Sequence, residues 1–296
     1  METIEALSRR SKSAEDLQSI VTTMKTMAAA KIWHYEQAVA ALAEYERTVE
    51  LGLQIALRER TEGVEIARPT LENRLGAIIL GSDQGLVGRF NDHVARYAID
   101  KMKAMGADPA YRHLIAVGRR LRRRLETERQ PIAAHFDMPS SIAGLRPTIQ
   151  AMMAWLERWQ SEQAIDCIML FFNRPLSGAS YEPHGVQLLP VDLNWLQDLQ
   201  QRPWPSRSLP TFDMEWEALF SALIREYFFV AVDRAFASSL AAENASRLSS
   251  MQAAERNIEE RLDELNMQYH QLRQSTITAE LLDIVSGAEA VTGRLP

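Results

Sequence analysis

Side chains able to do chemistry are few in this sequence, and they do not gather. The most suggestive stretch is GSDQGLVGRFN, Gly81 to Asn91, which follows an apolar run and opens a helical pattern. Doubly wound domains place their phosphate-binding loops in that position. The stretch is neither G-x-x-x-x-G-K-[ST] nor G-x-G-x-x-G, so the lysine and hydroxyl that hold a nucleotide and its magnesium are missing, and a structural turn is the stronger reading. The histidines, His34, His93, His113, His135, His184 and His270, show no H-E-x-x-H spacing and no acidic or cysteine partner at ligand spacing. Cys167 lies inside an apolar run, which suits a small hydrophobe better than a nucleophile. Ser177 lies in PLSGAS, a turn and not a G-x-S-x-G elbow. The basic run GRRLRRRLETER, Gly118 to Arg129, lacks interleaved aromatics for base stacking; such runs more often form a solvated helix face or meet an acidic protein. The expectation is no catalytic residue, no cofactor and no metal.

Bulk composition points the same way. The chain has 296 residues, 46% hydrophobic and 24% charged, enough for one large domain or two ordinary ones. Lys and Arg number 33 against 39 Asp and Glu, a formal net charge of −6, so the chain as a whole has no electrostatic reason to sit on nucleic acid or an anionic membrane. A single cysteine excludes an internal disulfide framework and fits a reducing compartment. No run reaches the roughly 18 apolar residues of a membrane span, and METIEALSRRSKSAEDL has no apolar signal core, so the chain is expected neither to span a bilayer nor to be exported.

Glycine and proline divide the chain into helix, compact middle and helix. Neither occurs before Gly52. Within that stretch Ile4, Leu7, Ala14, Leu17, Val21, Met24, Ala28, Ile32, Tyr35, Val39, Leu42 and Val49 mark one face of a helix that continues to about Arg58. Met214 to Ser286 also lacks glycine, and from Leu248 its stripe runs through Met251, Ile258, Leu262, Leu265, Tyr269, Leu272, Thr276 and Ile284 at close to the heptad spacing of about 3.5. Two such helices, residues 1–60 and 211–296, can cover each other as a long antiparallel coiled coil, with the longer C-terminal helix projecting alone. The middle, residues 68–207, alternates LGAIIL, HLIAVG, IAAHF and AIDCIMLFF with helical patterns, the mark of a parallel sheet with crossovers; GVQLLPV could add an antiparallel edge. The fold class read from this pattern is α/β plus a two-helix shaft, the middle being a small Rossmann-like domain.

The ends hold the densest signals. TMKTMAAAK, Thr23 to Lys31, mixes methionine with small residues on one helix, and RQSTITAELLDIVSGAEAV, Arg273 to Val291, sets polar residues on a helix expected to outrun its partner. These segments resemble the gamma subunit of F-type ATP synthases. Ser246 to Val291 looks like that family's C-terminal signature, with its R-Q-x-x-I-T-x-E-L core and terminal I-V-S-G-A. QSIVTTMKTMAAAKI, Gln18 to Ile32, is similar to the A-M-K-M-V-A-A-S-K motif, and GSDQGLVGRFN to S-D-[RK]-G-L-C-G-x-x-N.

The resemblance implies a non-catalytic rotor shaft in the bore of a hexamer of alternating alpha and beta subunits. It also implies a foot on the epsilon subunit and the membrane-embedded ring of c subunits, and one copy per complex. Membrane association would be indirect, on the cytoplasmic face of the bacterial plasma membrane, and nucleic acid would not be a partner. Carried over by motif, Arg247, Arg273, Gln274, Thr278 and Glu280 would meet beta-subunit loops, with Met24 and Lys25 on the opposing helix. Several positions depart from the family pattern: Asp16-Leu17 for Asn-Thr, Trp33-His34 for a basic pair, Gln84 for a basic residue and Val87 for Cys. They imply a divergent branch, an alternate synthase in which sodium is one candidate coupling ion, and the lone Cys167 excludes the paired-cysteine insertion of chloroplast members. The competing reading is a nucleotide-binding α/β enzyme that dimerises through a coiled-coil arm.

Overall fold

The computed structural model describes residues 3–59, 74–165, 167–176 and 179–292. The expected start of the middle domain at Arg68, the Ser177 turn and the end of the chain at Pro296 lie outside them. The elements in order are α1 (Ile4–Glu59), β1 (Leu75–Leu80), α2 (Phe90–Ala104), β2 (Arg112–Val117), α3 (Arg119–Thr127), β3 (Ile132–Phe136), α4 (Leu145–Gln163), β4 (Cys167–Pro175), β5 (Tyr181–Leu189), α5 (Leu193–Gln201) and α6 (Trp216–Thr292). They form two compact units, one of residues up to 27 with those from 248 on, the other of residues 28–247. Both long helices contribute to each.

In the first unit the two helices run antiparallel. Lys25 pairs with Glu255 at 2.6 Å, while Arg9, Ser13 and Ala14, nearer the N-terminus, share a groove with Arg261 and Leu265. Burial follows a heptad. Ile4, Leu7, Ser11, Ala14, Gln18, Val21 and Lys25 turn inward on α1, and Leu248, Met251, Glu255, Ile258, Leu262, Leu265, Tyr269, Leu272 and Thr276 on α6. One expected stripe residue is corrected: Leu17 is 54% exposed. The steps of four and three from Ala14 to Val21 pass through Gln18, and a three-step to 17 leaves the seam. Ile284 is likewise outside the seam, because inward burial stops at Thr276 and every residue from 277 to 286 is exposed.

The second unit holds the sheet, ordered β3-β2-β1-β4-β5. β1 pairs parallel with β2 and β4, β2 parallel with β3, and β5 closes the β4 edge antiparallel. Period-two alternation sends Leu75, Ala77 and Ile79 into a core with Val94, Ala98 and Met102 of α2 and Leu121 and Leu125 of α3. Ile78 and Leu80 face the other way, into a core with Ile149, Met152 and Trp159 of α4 and Val232 and Phe236 of α6. The sheet is therefore covered on both faces, which is why its strands read as unbroken apolar runs. Here too α1 and α6 are antiparallel: Tyr45 donates to Glu226 at 2.7 Å, Arg234 pairs with Glu46, and the Trp216 indole donates to the Ala56 carbonyl at 2.7 Å.

α5 was not anticipated. Asp192 caps it by accepting from the Asn194 amide at 2.9 Å, and Leu196 and Leu199 pack on Val49, Leu53 and Leu57 of α1 and Val230 of α6. Nine residues between prolines 190 and 203 are too few for a helical period to declare itself.

Candidate functional site

The loop after β1 lies where the sheet's connections change direction, toward β2 and β3 on one side and β4 on the other. In doubly wound domains a ligand's phosphates would rest there on the N-terminus of the following helix. This chain fills the place with its own groups. Asn91 accepts from the Ser82 amide at 2.9 Å and donates to the Ser82 hydroxyl at 2.8 Å. Ser246 of α6 donates to the Val87 carbonyl at 2.7 Å, Asn173 donates to the Phe90 carbonyl at 3.1 Å, and Val87 and Phe90 pack against Ala242. A Cβ on Gly81 would come within 2.3 Å of Leu121 Cβ, so glycine here serves close packing rather than phosphate approach. The motif locks α6 to the sheet.

The basic run forms α3, and local acids meet much of it. Arg124 reaches Asp92 and Glu128, each at 2.7 Å, Arg122 reaches Glu126 at 2.7 Å, and Arg119 lies 3.7 Å from Asp83. Asp83 also caps α3, accepting from the Arg119 amide at 2.8 Å and from the Met138 amide at 3.1 Å. Cys167 is half-buried, and burial pushes its thiol pKa up, away from thiolate chemistry. Among the described residues no group of three or more His, Cys, Asp or Glu is arranged to hold a metal ion.

The residues singled out for partner contact fall in three settings. Arg273, Gln274, Thr278 and Glu280 are exposed together near the end of α6, where the Thr278 hydroxyl donates to the Gln274 carbonyl at 2.8 Å. Met24 and Lys25 are half-buried in the helix seam of the same unit. Lys25 Nζ holds both oxygens of Glu255, at 2.7 and 2.6 Å, and this bond keeps the Glu255 carboxyl below its usual pKa. Arg247 belongs to the other unit and is interior: it donates to Glu243 at 2.6 Å, and both side chains are 8% exposed. Burial raises the Glu243 pKa, and the arginine opposes it.

Sequence reading missed the apolar half of the α6 end. Ile277, Leu281, Leu282, Ile284 and Val285 stand 47% to 68% exposed between and beyond the polar residues. The signal was present, since apolar residues continue past the point where α1 begins, but the stripe was read as core.

A family model described as ATP synthase matches residues 3–291. The chain belongs to the ATP synthase gamma-chain family. The ATP synthase gamma chain of Anaeromyxobacter sp. (strain Fw109-5) is 30% identical over 307 residues, covering 98% of this chain and 100% of the relative. That of Nostoc punctiforme is 27% identical, covering 99% and 100%. Among solved structures, a chain of the Euglena gracilis mitochondrial ATP synthase (OSCP/F1/c-ring, rotational state 3) matches with a TM-score of 0.63 at 18% identity, covering 99% of this chain and 96% of that one. A chain of the Tetrahymena thermophila mitochondrial central stalk/c-ring matches at 0.56 and 20%, covering 79% and 99%. For a gamma chain, a nucleotide-like loop filled from within is a structural joint, and the reading as a nucleotide-binding enzyme is not favoured.

Proposed function

We propose that this gamma chain, the central rotor shaft of an F-type ATP synthase, transmits torque through the exposed end of α6, which turns inside the alpha/beta hexamer. The carrying observation is that burial ceases at Thr276, leaving a mixed polar and apolar surface over residues 277–286. An apolar patch on one helix needs cover, and apolar contact is non-directional, so Leu281, Leu282 and Ile284 can turn in a collar while keeping contact at any angle. Hydrogen bonds are directional. Arg273, Gln274, Thr278 and Glu280 therefore favour particular angles and bias the beta subunits among their nucleotide states. Lys25 extends this contact zone by exchanging Glu255 for a beta-subunit group as the shaft turns, with Met24 beside it on the same helix; Arg247, held by Glu243 in the other unit, meets a beta-subunit loop only where that pair opens.

Residues 68–207, with the adjoining parts of the 1–60 and 211–296 helices, serve as the foot for the epsilon subunit and c-ring. One copy is held per complex, peripherally on the cytoplasmic face of the bacterial plasma membrane. Among the described residues no helix is long and apolar enough to cross a membrane.

The test is purification of the tagged chain from its own cells, with alpha and beta subunits expected to accompany it; their absence refutes the rotor. In the recovered complex, Arg273→Ala with Gln274→Ala should lower coupled ATP turnover about tenfold, the loss of one to two hydrogen bonds made at particular angles, without shifting the thermal midpoint of the chain. Unchanged turnover refutes the residue assignment.

A further inference from the structure

Within residues 28–247, α4, the β4–β5 edge and the start of α6 leave a groove of about 290 Å³ between them. Leu156, Ile168 and Leu188 form its buried floor, and Phe220, Ile224 and Phe228 of α6 stand half-buried along one wall. Water is a poor occupant here, because this floor and wall offer it no hydrogen-bond partners.

The chain itself arrives at both rims. Ala56, near the end of α1, accepts from the Trp216 indole at 2.7 Å, one helical turn before Phe220. On the α4 side, Arg74 donates to the Gln163 carbonyl at 2.8 Å, about one turn beyond Gln160, which also lines the groove. Between Glu59 and Arg74 run the fourteen residues 60–73, RTEGVEIARPTLEN, which lie outside the described ones. A stretch of that length reaches about 45 Å when extended, several times the ~10 Å between helices packed side by side, so it can enter the groove on its way from the α6 rim to the α4 rim.

We propose that residues 60–73 fill this groove from within the chain, seating Val64 and Ile66 against Phe220 and Ile224. An extended backbone turns residues two apart to the same side, so both branched side chains enter while Glu65 stays in water. Occupation joins the base of β1 to the start of α6 through apolar contact and leaves this face with no open slot for another protein. Nothing in this packing depends on the rotor assignment, and the full-length chain alone tests it.

In a Cys167→Ser background, Ile66→Cys is combined with Ile224→Cys, inside the groove, or with Ala222→Cys, exposed on the same helix, and disulfide formation is timed under a mild oxidant. The Ile224 pair should form at least tenfold faster than the Ala222 pair. A smaller ratio overturns the proposal, because a segment ranging through solvent would meet the more accessible thiol first. A second measurement needs no cross-link. Ile66→Asp should lower the thermal midpoint by about 3–12 °C, the loss of one buried aliphatic side chain in a unit of about 220 residues. Its cost should shrink once Ile224→Ala has hollowed the site, and full additivity of the two changes overturns the proposal. A midpoint that rises with protein concentration while Ile66→Asp is silent assigns the groove to a second copy, and one that rises only with added epsilon subunit, Ile66→Asp again silent, assigns it to that partner; either result overturns the proposal.

Discussion

Arg247 is interior to this chain, and the pair it makes with Glu243 sets a measurable asymmetry. The two side chains are 8% exposed each and 2.6 Å apart, four residues apart on α6. Glu243→Leu strands a guanidinium that cannot shed its proton, and removing one partner of a buried pair costs about 3–5 kcal/mol. The unit involved has about 220 residues, for which each kcal/mol moves the midpoint by about 2–4 °C, so Glu243→Leu should lower it by about 6–20 °C. Arg247→Met leaves a carboxyl that can take a proton, and burial already raises its pKa. The cost should be smaller and pH-dependent. With the folded pKa above the unfolded one, the folded state binds the extra proton; stability is fully present below the unfolded value of about 4.3 and is lost as pH rises through the folded value. The double variant Glu243→Leu with Arg247→Met should lie near the parent, a coupling of about 2 kcal/mol or more. Calorimetry of the full chain measures all four proteins. If Glu243→Leu melts within about 2 °C of the parent, the pair is not structural, and Arg247 is available to an outside partner without disruption.

Gly118 has φ +102°, and a Cβ there would lie 2.8 Å from the backbone of Ser82, which has no freedom to withdraw. Gly118→Ala should therefore destabilise the sheet unit by more than about 2 kcal/mol, whereas Gly106→Ala, at φ +74° with open space around it, should cost only the conformational ~1–2 kcal/mol. Equal midpoints for the two variants would contradict the steric account. Burial lowers the pKa of both His113 and His184, aided by Arg74 and Arg174 respectively. Their contribution is present above the unfolded pKa of about 6.5 and lost as pH falls through the folded values. A midpoint-against-pH series should thus fall more steeply below about pH 6.5 in the parent than in His113→Phe with His184→Phe, and parallel curves would refute it.

Much of the architecture was legible because it is written as periodicity. A proline-free heptad stripe and four apolar runs separated by helical patterns leave few alternatives, and β1 to β4 stand within a residue or a few of the predicted runs. The glycine-rich loop was legible only as a position. Nothing local in Gly81–Asn91 says that Ser246, more than 150 residues later, will donate to Val87, or that Ala242 will cover Phe90. The partner-contact residues divide along the same line. Exposure of Arg273, Gln274, Thr278 and Glu280 follows from one helix outlasting another, a difference in length that sequence states directly. The engagement of Lys25 by Glu255 and the burial of Arg247 beside Glu243 depend on helix register and on the sheet packed alongside.

By itself, then, the sequence determined the elements, their amphipathic faces and the excess length of α6, since these follow from 3.6- and two-residue periods and from where glycine and proline are absent. Tertiary structure alone decided which charges are spent inside the chain and which remain on its surface. Lys25 and Glu255 are far apart in sequence, and Glu243 and Arg247, though one helical turn apart, are buried only by elements packed from elsewhere in the chain; the cost of an unpaired buried charge makes the Glu243–Arg247 pairing obligatory once the fold has buried it.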